Sequence, residues 1–482
     1  MRYLTYSLIA IITLCNSITA QEKWDLRKCV EYAVGHGFTI KQAELQTKLA
    51  DIQHNQSKRS QLPNLNAGNS YGVSFGLREN PTTGIFENQR FFNLGLNLQS
   101  SASIFNWYSK KNAIAADQFE TLAARAAVEK QKNDLSLLVA NNYLTVLLAK
   151  EQENIARVQL QQSIAQYTNT RKLVDAGALP ELNAAELEAQ VARDTSSVIS
   201  AKGNVQQAIL NLKANLNLDA AAEFDVAIPP VEMIPIDPIA DLQPEAVFAL
   251  AVRNLPQQQV NNLKYQAGEK DMLSSKGAMK PSIGAFGNIG TNYVYFKTPV
   301  YNRILTGTTT PTGLIVNTGT VNYPVLSLVT KQGDISGYIK PNGPGPQLSN
   351  NLGQNIGLNI SVPIFNGSTL RSNYERSKVN LEGLSLQKDI DNQKIKQDIY
   401  LAYNSAIVAL EKFNASKKSV ETSQRSYDFS KKRYDVGMLP TLDLITNQNN
   451  LFRAKLEMVS NQFDYVFKMK VLEFYKGMGI KL

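Results

Sequence analysis

Cysteine and histidine are nearly missing from this chain, and no apolar run long enough to cross a membrane follows its opening residues. Of the two cysteines, Cys15 lies in the opening stretch MRYLTYSLIAIITLCNSITAQ. Arg2, an apolar run from Leu8 to Leu14 and the small Ala20 make that stretch a predicted secretory signal peptide over 1–20. Cleavage is expected between Ala20 and Gln21, and the run is too short to span a bilayer as a helix. A lipidated Cys15 is the alternative, although Leu14 is bulky where a lipobox takes a small residue. Processing leaves Cys29 alone, which excludes an intramolecular disulfide. Later segments never reach about 18 consecutive apolar residues, so no transmembrane helix is expected. An exported chain of this kind is soluble or enters the membrane as a β-barrel.

Catalytic patterns are missing as well. His36 and His54 are the only histidines, and both fall on one amphipathic helix, five turns apart, too far to chelate together. The chain has no Gly-rich phosphate loop followed by Lys, no cysteine pair and no Gly-x-Ser-x-Gly. Its many carboxylates read as solvated helix faces. No enzyme, cofactor or metal site is expected. The formal charge of +9 is dispersed along the chain, which argues against a nucleic-acid partner.

What the chain does have is a stretch written twice. Tyr167–Leu182 reads YTNTRKLVDAGALPEL and Tyr427–Leu442 reads YDFSKKRYDVGMLPTL. Tyr167, Lys172, Asp175, Gly177, Leu179, Pro180 and Leu182 recur 260 residues later. The same offset pairs Ile104-Phe105-Asn106 with Ile364-Phe365-Asn366, Tyr143 with Tyr403, and Arg193 with Arg453. Duplication at this period makes the protein two copies of one unit.

Each copy has the same predicted order. In the first, Asp25 caps a helix to about Ser60, and alternating segments run from about Asn66 and from Phe92 to Ile104. A long helix covers about Trp107 to Val174, and another runs to about Leu216. In the second, helices are predicted at about Pro244–Lys280, Leu370–Tyr434 and Thr441–Tyr475, with strands at about Ser282–Phe296 and Asn355–Val362. The leading helices pair at an offset of 218, through Ala33-Val34 with Ala251-Val252 and Pro63 with Pro281. The two offsets differ by 42, which puts an insertion between the second copy's strands. The expected domains are therefore 1–20 (signal peptide), 21–218 (first repeat), 219–243 (Pro-rich extended connector) and 244–482 (second repeat). The last contains a Thr/Gly/Asn/Pro-rich loop at about 297–351, disordered or folded into a small cap or plug.

The long helices reach about 100 Å and the short ones about 55 Å. Two short helices end to end match one long one, so each copy can form an antiparallel pair. Leu137, Leu144, Leu148, Ile155 and Val158 form a predicted coiled-coil seam. In the strands, Tyr71, Val73, Phe75 and Leu77 alternate with Gly and Ser, while Phe92, Leu94, Leu96 and Leu98 alternate with Asn, Gly and Gln. Such strands suit lipid on one face and water on the other, or a half-buried soluble sheet. Tyr71, Trp107, Tyr108, Tyr293, Tyr295 and Phe296 are candidates for the membrane interfaces. Four strands cannot close a membrane barrel, whose smallest forms need about eight, so several chains must share one; three copies give about twelve strands.

These features resemble the TolC family of outer-membrane efflux proteins over nearly the whole mature chain. The specific match lies in the doubled turns, Asp175-Ala-Gly-Ala-Leu-Pro and Asp435-Val-Gly-Met-Leu-Pro, and in the helix starts after them, Glu181-Leu-Asn-Ala-Ala and Thr441-Leu-Asp-Leu-Ile. The resemblance implies a mainly α fold with a small transmembrane β part, a duplicated α-barrel/β-barrel. In a homotrimer, four strands per chain would form a shared twelve-strand barrel in outer-membrane lipid. It also implies an exit duct with a long periplasmic extension, working with a periplasmic adaptor and an inner-membrane transporter in efflux or type I secretion. By the same resemblance, Gly177, Ala178, Leu179, Gly437, Met438 and Leu439 are adaptor-docking candidates, and Asp443 is an aperture residue. The second aperture position is Thr446, and the first-copy counterpart of Asp443 is Asn183, so the acidic ring is thinner than the family pattern. A stand-alone diffusion channel and a periplasmic coiled-coil scaffold remain the alternatives.

Overall fold

The computed structural model describes residues 23–79, 86–229 and 234–477; the expected signal peptide and Cys15 lie outside these. In chain order the elements are α1 (Leu26–His36), α2 (Phe38–Arg59), β1 (Asn64–Glu79), β2 (Phe86–Phe105), α3 (Ser109–Asp175) and α4 (Glu181–Leu216). The second copy has α5 (Pro244–Asn254), α6 (Pro256–Ala278), β3 (Ser282–Tyr295), β4 (Thr298–Asn317), β5 (Asn322–Ile339), α7 (Pro344–Asn350), β6 (Gly353–Ser361), α8 (Thr369–Asp435) and α9 (Thr441–Phe474). The duplication is reproduced residue for residue: α3 and α8 are each 67 residues long. No helix among the described residues is long and apolar enough to cross a membrane.

Two compact units emerge. One holds the helical residues 23–56, 113–272 and 375–477; the other holds the β-rich residues 57–112 and 273–374. In the helical unit, Cys29, Val30 and Ala33 of α1 meet Val139, Tyr143, Val146 and Leu147 of α3, Leu212 and Leu216 of α4, and Phe463 and Val466 of α9. Burial pushes the Cys29 thiol up to about 12, which leaves it inert. Of the predicted seam, Leu144 is buried and Leu148 and Ile155 pack against the same core, while Val158 is 43% exposed. Leu135, Val139, Tyr143 and Val146 of α3 join Leu144 in that core.

Each leading helix, expected to be continuous, is broken by one extended residue. Gly37 has φ −60° and ψ 123°, and Leu255 has φ −68° and ψ 129°. The second break follows from Pro256, which disfavours the helical region for the residue before it. The first falls on a glycine with no room for a side chain: a Cβ at Gly37 would lie 2.7 Å from Leu135 Cδ2 and 2.8 Å from the Ala33 carbonyl.

The connector is pinned by two buried lysines. Lys213 Nζ donates to the carbonyls of Ala220 and Ala222, both at 2.6 Å. Lys470 Nζ donates to the Pro235 carbonyl and to Glu473 Oε2 (3.0 Å), while Glu473 Oε1 accepts from the Asp237 backbone N–H at 2.5 Å. Tyr143 Oη donates to the Ala227 carbonyl at 2.7 Å.

In the β-rich unit the sheet order is β1-β2-β3-β6, antiparallel throughout. The register puts Tyr71 beside Leu94 and Leu94 beside Tyr293, Leu98 beside Ile289, and Ala285 beside Leu358. One face is therefore apolar, and the other carries Gly, Asn and Ser, as the alternation predicts. Beyond the end of β6, Gln347 of α7 substitutes for a strand: its Oε1 accepts from the Val294 N–H and its Nε2 donates to the Val294 carbonyl, both at 3.0 Å.

The stretch expected as a loop over about 297–351 is instead a two-stranded ribbon, β4 paired with β5, followed by α7. Thr, Gly and Pro read as loop signals in sequence, but the Thr, Val, Ile and Leu interleaved with them favour strand.

Lys470 and Glu473 are 2% and 4% exposed, so removing one partner strands a buried charge. Lys470→Met is expected to lower stability by about 3–5 kcal/mol, read as a fall in the unfolding midpoint of detergent-solubilised protein by circular dichroism. The double variant with Glu473→Gln is expected to recover part of that loss.

Candidate functional site at the two hairpin tips

Both tips close by the same backbone device. After α3, the Gly177 N–H donates to the Val174 carbonyl and the Ala178 N–H to the Leu173 carbonyl; after α8, Gly437 and Met438 repeat this with Tyr434 and Arg433, all at 2.8 Å. These are Schellman closures, whose reversal requires a left-handed residue. Gly177 and Gly437 supply it, with φ of 75° and 76°. Pro180 and Pro440 stand at the N-caps of α4 and α9, with ψ of 148° in each. Each proline stands one residue before its helix, and its extended ψ directs the chain into it.

The tips present Gly177, Ala178, Gly437 and Met438 to solvent, with Leu179 and Leu439 half-buried beneath them. An open cleft of about 940 Å³ runs between the two hairpins, lined by Thr170, Ala178, Leu179, Tyr434, Met438 and Leu439 among others. Asn183 also lines it, whereas Gly177, Asp443 and Thr446 do not. Asp443, on the first turn of α9, and Thr446, on the second, are exposed. A carboxylate at that position is favoured by the helix dipole.

The two tips differ more than sequence comparison suggested. Arg171 Nε lies 2.9 Å from Asp175 Oδ1 and its Nη1 lies 2.5 Å from Glu181 Oε1, an ionic strap across the first turn. The second tip has Lys431 and Thr441 at the corresponding positions and no such strap among the described residues. Arg171 four residues before Asp175 was the available signal.

Behind the tips, side chains from both copies meet. Gln166 Nε2 donates to Tyr427 Oη at 2.7 Å, and the Thr170 and Tyr434 hydroxyls lie 2.9 Å apart. Deeper lies a buried polar network that sequence reasoning missed. Ser163 Oγ donates to Asp194 Oδ2 (2.6 Å), Gln190 Nε2 to Asp194 Oδ1 (2.8 Å) and Gln448 Nε2 to Ser163 Oγ (2.9 Å). Asp194 is 4% exposed. Burial raises its pKa above the ordinary carboxylate value, against the lowering effects of Ser163, Gln190 and Arg193.

The family described as Outer membrane efflux protein matches residues 32–218 and 347–467, more than half the chain. This chain belongs to the outer membrane efflux protein family. Outer membrane protein TolC of Escherichia coli (strain K12) is 28% identical over 117 residues, covering 24% of each chain. This member of the family therefore spans about a quarter of the length of the TolC relatives it matches. Outer membrane efflux protein BepC of Brucella suis is 22% identical over 373 residues, covering 77% of this chain and 69% of that one. Among solved structures, CusC superposes with a TM-score of 0.72 at 16% identity, over 96% of both chains. The Campylobacter jejuni CmeC outer membrane channel gives 0.69 at 18% identity, over 95% of this chain and 86% of that one. The fold is that of the TolC-like efflux channels, mainly helical with a smaller β part.

A carboxylate whose native pKa is raised favours the native state at low pH and loses that contribution as pH rises through the native value. Asp194→Asn is thus expected to match or exceed wild-type stability at pH 7.5, and that advantage should vanish on acidification toward pH 4. Unfolding midpoints of both proteins across this range test it. Asp194→Ala, which leaves Ser163 and Gln190 unpaired, is expected to cost about 3 kcal/mol.

Proposed function

We propose that this protein is the outer-membrane exit duct of a tripartite efflux or type I secretion system. In this reading it is exported by the segment 1–20. Three copies pool their four-stranded sheets into one barrel in outer-membrane lipid, and their helices wall a periplasmic tunnel. The connector, 219–243, lies in an equatorial belt between the two repeats, 21–218 and 244–482. The observation that carries the reading is the pair of hairpin tips, identical in backbone and held side by side by Gln166–Tyr427 and Thr170–Tyr434.

The tips suit a docking surface. Small or flexible side chains at Gly177, Ala178, Gly437 and Met438 let a partner's backbone approach, and Leu179 and Leu439 offer apolar contact at the base. A periplasmic adaptor is the partner this surface serves, with an inner-membrane transporter supplying the energy. At the aperture, three copies bring three Asp443 carboxylates around one axis, favouring cations. Thr446 and Asn183 add no charge, so selectivity is modest.

Two measurements test this. Ala178→Asp combined with Met438→Asp is expected to lower adaptor capture, after in-cell cross-linking, by roughly tenfold, and to raise the host's sensitivity to exported compounds while bilayer conductance persists. Asp443→Asn is expected to shift the permeability ratio of single channels toward anions. Unchanged sensitivity on deletion of the whole chain, together with no adaptor captured, would instead favour a stand-alone diffusion channel.

A further inference from the structure

Lysine and arginine occur along the whole chain, but their excess over Asp and Glu does not. The β-rich unit, residues 57–112 and 273–374, holds thirteen of them against three acids, Glu79, Glu87 and Asp334. Its net charge of +10 exceeds the +9 of the whole chain and leaves the remainder close to neutral. Within the sheet, β3 and β6 carry no charge at all, so the excess collects at the two ends of the strands.

One of those ends holds a cavity. Where α2 hands over to β1 and β2 to α3, a space of about 760 Å³ opens on the sheet. The register there puts Asn64 beside Ser101, Ser101 beside Phe286, and Gly284 beside Asn359, with Gln99 one step along beside Asn288. These residues share the polar face, opposite Leu94, Leu96 and Leu98. Arg59 and Lys110 complete the lining. Lys110 Nζ donates to the Ser60 carbonyl at 2.7 Å, which holds it beside the entry to β1 and leaves two protons to give. Arg59 is exposed, and neither cation has a carboxylate partner among the described residues.

Within the strands, this end of the polar face is built of Asn, Gln, Ser and Gly with a single exception, Phe286. Its ring lies across Gly357 of β6, where a Cβ would stand 2.8 Å from Phe286 Cζ and 3.0 Å from Cε1. A side chain at 357 would push the ring away from the sheet. The result is a flat apolar platform beside two unpaired cations.

We propose that this cavity is a subsite for organic anions in transit. Arg59 and Lys110 hold the carboxylate or phosphate of the solute, and Phe286 stacks on its flat apolar ring. The proposal rests on the reading that the sheet is part of a barrel, because the polar face then lines the lumen. A guanidinium meets a carboxylate through two parallel N–H donors. Asn64 Oδ1 is taken by the Ser101 N–H at 2.7 Å, so its NH₂ group is the side available to a ligand. The volume suits a ring system of drug size. Positive charge on a wall of low dielectric also raises the local concentration of anions.

Single channels of the full-length protein in planar bilayers test this, with 1-naphthoate, 1-naphthylmethylammonium and acetate as probes. Naphthoate is expected to interrupt the current at concentrations about tenfold below those needed of acetate or the naphthyl cation. Arg59→Gln, which keeps the bond from Lys110 to Ser60, is expected to raise the half-blocking concentration of naphthoate about tenfold. Phe286→Ala is expected to raise it about fivefold. Lys331→Gln removes a charge on the ribbon, beyond the far end of β3, and is expected to change it by less than about twofold. Block that Arg59→Gln and Phe286→Ala both leave within about twofold of wild type would overturn the subsite. Equal weakening by Lys331→Gln would overturn it too, since the net field alone would then draw the anion. Protein that inserts yet carries no current would overturn the barrel reading beneath the proposal.

Discussion

In hydrocarbon every backbone N–H and C=O needs a partner, and the four-stranded sheet leaves two rows of them open, along β1 and β6. The apolar face formed by Tyr71, Leu94, Leu98 and Leu358 suits lipid, but a sheet with open edges cannot stay there. Adding strands from within the chain does not help. Among the described strands the further pair, β4 and β5, forms a sheet of its own, and α7 with Gln347 occupies the end of β3 that β6 does not reach. In the proposed assembly, completion comes from other copies of the chain. The requirement for a shared barrel in that proposed assembly descends from those two edges.

Duplication supplies the parts, and departures from it supply the specialisation. The two tips use the same hydrogen bonds and the same left-handed glycine, and the two strand-to-helix elbows use the same pair of left-handed residues. Side chains then diverge on a common backbone. The first tip is strapped by Arg171 to Asp175 and Glu181, while the second has Asp443 at its helix start. The first elbow carries Trp107 and Tyr108, the second Gly367 and Ser368. Duplicated backbones with divergent side chains thus leave the two halves chemically distinct at matching positions.

Much of this was legible in the sequence because long periods and strict alternation are physical signals that little else produces. The 260-residue offset placed α3, α8, α4 and α9 to within two residues, and period-two alternation identified the faces of β1, β2 and β6. Local competition was harder to read. The lack of room at Gly37 depends on how closely Leu135 approaches, which no spacing within α1 reveals. The ribbon at β4 and β5 was hidden by Thr, Gly and Pro that signal loops and strands alike. The network around Asp194 joins residues as far apart as Ser163 and Gln448, and each taken alone reads as part of a solvated helix face. Val158 looked like a core position from its spacing, yet at that level Ala156 and Gln159 are the buried residues.

The central claim is that one chain holds only part of a barrel. Native mass spectrometry of the mature protein, released from detergent micelles under conditions where its strand and helix signals are intact, tests it most directly. A species of three chains with little folded monomer is expected. A folded protein that remains monomeric across detergents and concentrations would contradict it, because β1 and β6 would then have no partner strand.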